Sequence, residues 1–101
     1  MSGLPESIFG RWVHSREEDS AEARVYRPHN FSFPLARSRK AFEIRQDGTF
    51  IRHGIGPSDG PHRTVGRWVE QGNRVEVELE DGGRDVLVVL SCAPDLLKLK
   101  P

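Results

Sequence analysis

Apolar and polar residues alternate with a period of two through much of the chain. The clearest run is RVEVELE at 74–80, in which Val75, Val77 and Leu79 are separated by glutamates. Because successive side chains of a β-strand point to opposite faces, this run predicts a strand with one apolar face and one row of carboxylates. No apolar pattern with the helical period extends beyond about two turns, so the chain is predicted to be all-β.

The segment around Gly72-Asn73 predicts a hairpin whose register is well defined. A two-residue turn with glycine in first position is typical of type II′. This turn places Gln71 opposite Arg74 and therefore Trp68 opposite Val77. The tryptophan then lies on the apolar face of the hairpin.

A second hairpin is predicted around Asp47-Gly48, and its turn type decides which polar side chain enters the interior. A type I turn followed by a left-handed Gly48 gives a G1 bulge that pairs Phe42 with Arg52. A plain two-residue turn pairs Phe42 with His53 instead. We favour the bulge, because an aspartate before a left-handed glycine fits it well.

The remaining elements are shorter. Leu4–Phe9 predicts one helical turn, and a strand from Gly10 to His14 is predicted to follow it in the chain. Val86–Leu90 is an uninterrupted apolar run, which favours a strand covered on much of both sides. Leu97 and Leu99 alternate with lysines and predict a final half-buried strand.

Residues 15–40 support more than one interpretation. Glu22–Arg27 is compatible with a strand, and Phe31 and Phe33 alternate between two prolines. We expect an ordered flap over one barrel end, with a mobile loop as the alternative.

The tetrapeptide GRWV occurs twice, at 10–13 and at 66–69, and contains both tryptophans of the chain. In a strand, a glycine and the tryptophan two positions later point to the same face. A small residue beside a large one allows close packing and the coiling that closure of a barrel requires. We therefore interpret the repeat as one packing device used on two strands.

The motifs LPESIFGRW, FEIRQDGTF, VGRWVEQGNRVEVEL and LVVLSCAPDLLKLKP follow one another in this order. In order and spacing they resemble the small bacterial lipocalin-like domains of the calycin group. The strand pattern predicts a meander of seven or eight short strands, and the resemblance implies that the strands are antiparallel, run up and down and close into a small β-barrel. It also implies an interior able to hold a small hydrophobic or amphipathic ligand. The length of 101 residues suits a single domain over residues 1–101.

The predicted inner face supplies the candidate ligand-binding residues. If Trp12 points inward, so does His14 two residues later. An apolar interior that contains one histidine and one arginine suits an amphipathic anion, with its carboxylate on Arg52. The alternative is that His14 and Arg52 lie at the rim with their polar ends in water. The expected ligand-binding set is Trp12, His14, Phe42, Phe50, Arg52 and Trp68.

Composition narrows the function classes. Fifteen basic residues balance fifteen acidic ones, so no net charge attracts nucleic acid or anionic lipid, and we expect neither as a partner. The single Cys92 excludes an internal disulfide and fits a reducing compartment. No apolar stretch approaches the roughly 20 residues of a membrane span, and no export signal is recognisable, so a cytoplasmic protein is expected. The oligomeric state is left open.

The sequence contains no strong catalytic or metal-binding motif. His53 and His62 bracket a loop, and either His14 or Asp59 could complete a metal site with them. A structural zinc ion normally needs four ligands, so we expect no metal and no cofactor. Nucleophile-elbow and phosphate-loop motifs are absent, and the catalytic residues are unknown. A ligand carrier or sensor is therefore the first expectation. The alternatives are an interaction module that uses Phe31 and Phe33, and a barrel enzyme for isomerisation or cyclisation.

Overall fold

The structure is a computed structural model that describes residues 4–34, 39–55 and 61–101. Within these ranges the chain forms eight strands and two short 3-10 turns. The turns are Glu6–Ile8 and Arg16–Glu18. The strands are β1 Gly10–His14, β2 Arg24–Pro28, β3 Ala41–Ile44, β4 Thr49–Ile55, β5 Pro61–Gln71, β6 Arg74–Leu79, β7 Arg84–Ala93 and β8 Leu96–Leu99.

The eight strands close into one antiparallel barrel, which confirms the predicted fold class. Strands β3 to β8 follow one another as a meander, each paired with the next. β1 lies between β2 and β3, and β2 pairs with β8 to close the barrel. The connection from β2 to β3 therefore has to pass β1. The predicted N-terminal helical turn is present as Glu6–Ile8.

Both predicted hairpin registers are confirmed. Phe42 lies opposite Arg52, as the bulged turn requires, and Gly48 has φ +93°. An L-residue with a side chain rarely adopts that backbone conformation, so a glycine is needed there. Trp68 lies opposite Val77, and Gln71 lies opposite Arg74.

The core fills the end of the barrel that the N-terminal turn covers. Ile8 and Trp12 are almost fully buried, and the rings of Phe42 and Phe50 stack with centroids 5.6 Å apart. Burying a large apolar side chain stabilises a fold by roughly 1.5–3 kcal/mol, so these contacts dominate the stability of the barrel. Further buried members are Ile44, Val75, Val77, Leu79, Val89, Leu97 and Leu99.

Strand β7 differs from the expectation that both of its faces are covered. Leu87 and Val89 face the interior, whereas Val86 is 50% and Leu90 49% exposed on the outside. An apolar run therefore does not imply two buried faces here. The structure also contains no helix long and apolar enough to cross a membrane within the residues it describes.

The segment after β1 packs along the outside of the barrel. The backbone N–H of Ser15 donates to Val25 O, and the N–H of Val25 donates to Asp19 Oδ1, each at 2.8 Å. Phe31 lies against Arg27, which faces outward beside Val13. Among the described residues of this segment, Phe31 therefore covers the outer wall and not the barrel end.

Candidate functional site

The open end of the barrel contains a pocket of about 530 Å³. Its apolar surface comes from inward-facing side chains of three strands, namely Tyr26 of β2, Phe42 of β3 and Leu87 of β7. These residues meet because the barrel brings the start of β2, β3 and β7 to the same end. The other lining residues are Arg24, Arg39, Lys40, Ala41, Arg52, His53, Gly54, Thr64 and Asp85.

One ion pair spans this open end from wall to wall. Arg52 of β4 donates a hydrogen bond to Asp85 of β7, although β5 and β6 separate these strands in the sheet. The two side chains are 43% and 42% exposed, so they lie at the rim. The guanidinium also lies 6.0 Å from the ring centre of Phe50. The charge of Arg52 is thus balanced within the protein.

Tyr26 connects this pocket to a neighbouring one. Its ring lies 4.9 Å from that of Phe42 and 5.1 Å from that of His14. Burial raises the pKa of the Tyr26 phenol, so the hydroxyl stays protonated at neutral pH. His14 Nε2 in turn lies 2.8 Å from Asp19 Oδ2. The histidine therefore has a defined partner at the edge of the pocket.

Two arginines hold the outer segment, and the first of them, Arg39, lies beside this end. Arg39 donates to both carboxylate oxygens of Glu17, at 2.8 and 2.6 Å, and to the carbonyls of His14 and Pro34. Its guanidinium also lies over the ring of Phe33. The hydrogen bond from Arg39 lowers the pKa of Glu17 to about 2. Arg39 is thus a structural clamp as well as a lining residue.

The second arginine repeats this arrangement. Arg27 donates to both carboxylate oxygens of Glu18, at 2.9 and 2.7 Å, and lies over the ring of Phe31. The hydrogen bonds from Arg27 and then from Ser15 lower the pKa of Glu18 to about 2. Phe31 and Phe33 also contact each other edge to face. Within the described residues, these rings thus contact each other and the two arginines.

Three of the six expected ligand-binding residues lie at the open end. Phe42 and Arg52 line the main pocket, and His14 lines the neighbouring one. Trp12 is 2% exposed and Phe50 is fully buried, so both belong to the core. Trp68 is half-buried at the other end, where its indole N–H donates to Arg45 O at 2.8 Å.

Several lining residues were not among the predicted site residues, namely Arg24, Tyr26, Lys40, Asp85 and Leu87. Arg24 and Tyr26 belong to a segment whose fold the pattern left undecided. Strand β7 is apolar on both faces, so its alternation did not show that Asp85 and Leu87 face inward. The register of Asp85 opposite Val77, an inward residue, carries that information.

Other candidate chemistry is weaker. His53 Nε2 is buried without a hydrogen bond, 3.8 Å from Glu43 Oε1, and burial lowers the pKa of this imidazole. The suggested metal ligand Asp59 and the side chain of His62 lie outside the described residues, and those that are described include no group of three or more metal-ligating side chains. Burial raises the pKa of the Cys92 thiol, which disfavours the reactive thiolate.

Comparison with known proteins gave no family. No protein-family model matches the chain, and no curated protein or solved structure was found to be significantly similar. The function therefore has to be argued from the geometry of the open end.

Proposed function

We propose that this protein is a lipocalin-like binding protein that holds a small amphipathic anion in the open end of its barrel. The observation that supports this most directly is the pocket of about 530 Å³, which combines an apolar floor with a basic rim. Its volume falls in the range of typical small-molecule sites. The pocket lies above a filled core, so the ligand would occupy the mouth and not the full length of the barrel.

The charges at the rim favour an anion. Arg24, Arg39, Lys40 and Arg52 line the pocket, whereas Asp85 is the one carboxylate among its described lining residues. Glu17 compensates Arg39, and Asp85 compensates Arg52. Arg24 and Lys40 are left as exposed positive charges above an aromatic surface. An apolar body over Tyr26 and Phe42 with an anionic group at the rim satisfies both features.

The test uses 1-anilinonaphthalene-8-sulfonate, an amphipathic anion whose fluorescence rises in apolar sites. We expect saturable binding to the folded protein. Leu87→Asp places a carboxylate in the pocket and should weaken binding about tenfold or more. Val86→Asp is the matched control, because it makes the same change one residue earlier on the outer face and should leave binding unchanged.

A second variant covers the case in which Leu87→Asp fails to fold. Gly54 lines the pocket, and a Cβ at this position meets no described atom within 4 Å. Gly54→Phe should therefore fill the pocket and abolish probe binding while circular dichroism shows an intact fold. Two results would contradict the proposal. One is the absence of saturable probe binding by the unmodified protein. The other is probe binding by the Leu87→Asp and Gly54→Phe variants that is as tight as that of the unmodified protein.

A further inference from the structure

A second pocket of about 240 Å³ opens beside the main one. The two share Arg24, Tyr26, Arg39 and Lys40, so they form one continuous cleft. His14 and Arg16 complete the second pocket, which we call the side pocket. The cleft thus has an apolar part under Leu87 and a polar part between β1, β2 and the start of β3.

The side pocket is basic throughout the part that the structure describes. Each of its described ionisable lining residues other than Tyr26 is an arginine, a lysine or a histidine. Two carboxylates beside this pocket contact other residues, Glu17 through an ion pair with Arg39 and Asp19 through a 2.8 Å contact with His14 Nε2. Arg24 and Lys40 are exposed and make no ion pair with any residue in the described ranges. Two positive charges are therefore uncompensated on one side of the cleft.

The main pocket does not offer an equivalent pair of uncompensated cations for an anionic group. Arg52 is the cation that the sequence analysis expected to hold a carboxylate, but it hydrogen-bonds Asp85 across the rim. An anion that approached Arg52 would also approach that carboxylate, which costs Coulomb energy. The anionic group is therefore better placed in the side pocket, and the apolar body better placed over Phe42.

We infer that the ligand carries a phosphate monoester, bound in the side pocket by Arg24 and Lys40, and that its apolar body occupies the main pocket. This inference rests on the proposed function. A phosphate monoester carries a charge of about −1.5 to −2 at neutral pH, which matches two uncompensated cations better than a carboxylate does. An arginine donates in a planar fork that fits phosphate oxygens, and a lysine adds a compact charge. Tyr26 lines both pockets, and its hydroxyl would supply a further donor.

The test compares three probes with the same apolar body, namely 1-naphthyl phosphate, 1-naphthoate and 1-naphthol. Binding is measured by titration calorimetry at pH 8, where the phosphate is a dianion. We expect the phosphate to bind about tenfold more tightly than the carboxylate, and the neutral alcohol to bind most weakly. Added salt should reduce the preference for phosphate, because the two cations are exposed.

Variants locate the anionic group. Arg24→Gln and Lys40→Gln, separately and together, should reduce the preference for phosphate, and the double variant should bind phosphate and alcohol within about threefold of each other. Arg67→Gln removes an exposed arginine on the outer face of β5 and is the matched control. Arg24 and Lys40 are both exposed, so their variants should fold.

The outcomes separate the two proposals. If the protein binds the sulfonate probe but binds 1-naphthyl phosphate no more tightly than 1-naphthoate, the phosphate assignment fails and the proposed function stands. The Arg52→Gln/Asp85→Asn variant leaves the net charge unchanged. If the preference for phosphate survives Arg24→Gln/Lys40→Gln but is lost in this variant, the anionic group lies at Arg52 and the assignment is wrong. If no probe of either kind binds, the proposed function itself fails.

Discussion

The two GRWV segments share a sequence but have different roles in the barrel. Trp12 in the first is 2% exposed and donates its indole N–H to Ile8 O at 2.9 Å, which ties β1 to the N-terminal turn. Trp68 in the second is half-buried and donates to Arg45 O, which ties β5 to the turn between β3 and β4. Each indole thus fastens a different chain segment at the closed end.

The glycines of the two segments differ as well. Gly10 has φ +140°, a conformation that residues with a Cβ rarely adopt, but a Cβ there would meet no described atom within 4 Å. At Gly66 a Cβ would meet backbone atoms of β6, with Leu79 Cα only 2.8 Å away and Glu78 O closer still. The first glycine is therefore required by its conformation and the second by close approach of two strands. Identical letters do not imply identical physical reasons.

The largest expected difference between the segments lies in their tryptophans. Trp12→Ala should cost about 3–5 kcal/mol of unfolding free energy, because it opens a cavity in the core. Trp68→Ala should cost about half as much, because this ring is already partly in water and loses less buried area and one hydrogen bond. Urea denaturation followed by circular dichroism measures both.

The milder pair Trp12→Phe and Trp68→Phe keeps the comparison measurable if Trp12→Ala does not fold. Equal costs in both pairs would show that the two indoles contribute alike, against the difference in burial.

The glycines give the next effect. Gly66→Ala should cost about 2–3 kcal/mol, because rigid backbone and not a flexible side chain has to move. Gly10→Ala should cost about 1–2 kcal/mol from backbone strain alone. Amide chemical shifts distinguish the causes, since Gly66→Ala should shift Glu78 and Leu79 on the neighbouring strand. Changes confined to β5 itself would argue against the close approach.

The smallest expected effect concerns the outer segment that follows β1 and therefore follows the first GRWV segment and not the second. Glu17 and Glu18 have pKa values of about 2, lowered from 4.5 by their arginine partners. A lowered carboxyl pKa stabilises the folded state above the unfolded value and loses that contribution as the pH falls toward the folded value. The anchoring of the outer segment should therefore weaken between about pH 4.5 and 2.

Ring-proton shifts of Phe31 and Phe33 should follow that titration. The indole N–H of Trp68 instead senses Glu43 and Asp47, whose pKa values hydrogen bonds also lower on either side of its acceptor Arg45. In Glu17→Gln/Glu18→Gln the ring-proton shifts should no longer depend on pH in this range. A midpoint near the ordinary glutamate value in the unmodified protein would mean that the arginine clamps do not hold in solution.

Local chemistry made the hairpins predictable. Turn residues at Asp47-Gly48 and Gly72-Asn73 determine which residues face each other, and alternation in 74–80 determines which face is apolar. The structure confirms both registers. From these registers the inward position of Phe42 and Arg52 followed without knowledge of the rest of the chain.

The open end was less predictable, because its pattern departs from the usual rule. In β2 the inward residues include Arg24 and Tyr26, whereas the outward Val25 is 4% exposed beneath the segment after β1. The apolar residue thus lies outside and the polar ones lie at the mouth. The usual rule predicts that the apolar face of a strand points inward, so the pattern of β2 could not predict which of its residues face the interior.

The sequence by itself determined the strands outside residues 15–40, their turns and the two hairpin registers, because each depends on residues only a few positions apart. Tertiary structure alone decided which end stays open and which charges meet there. Arg52 and Asp85 are 33 positions apart in the chain, and two strands lie between theirs in the sheet, so only closure of the barrel brings them together. Closure likewise leaves Arg24 and Lys40 uncompensated on the other side of the mouth, because ion pairing depends on distances in space and not along the chain.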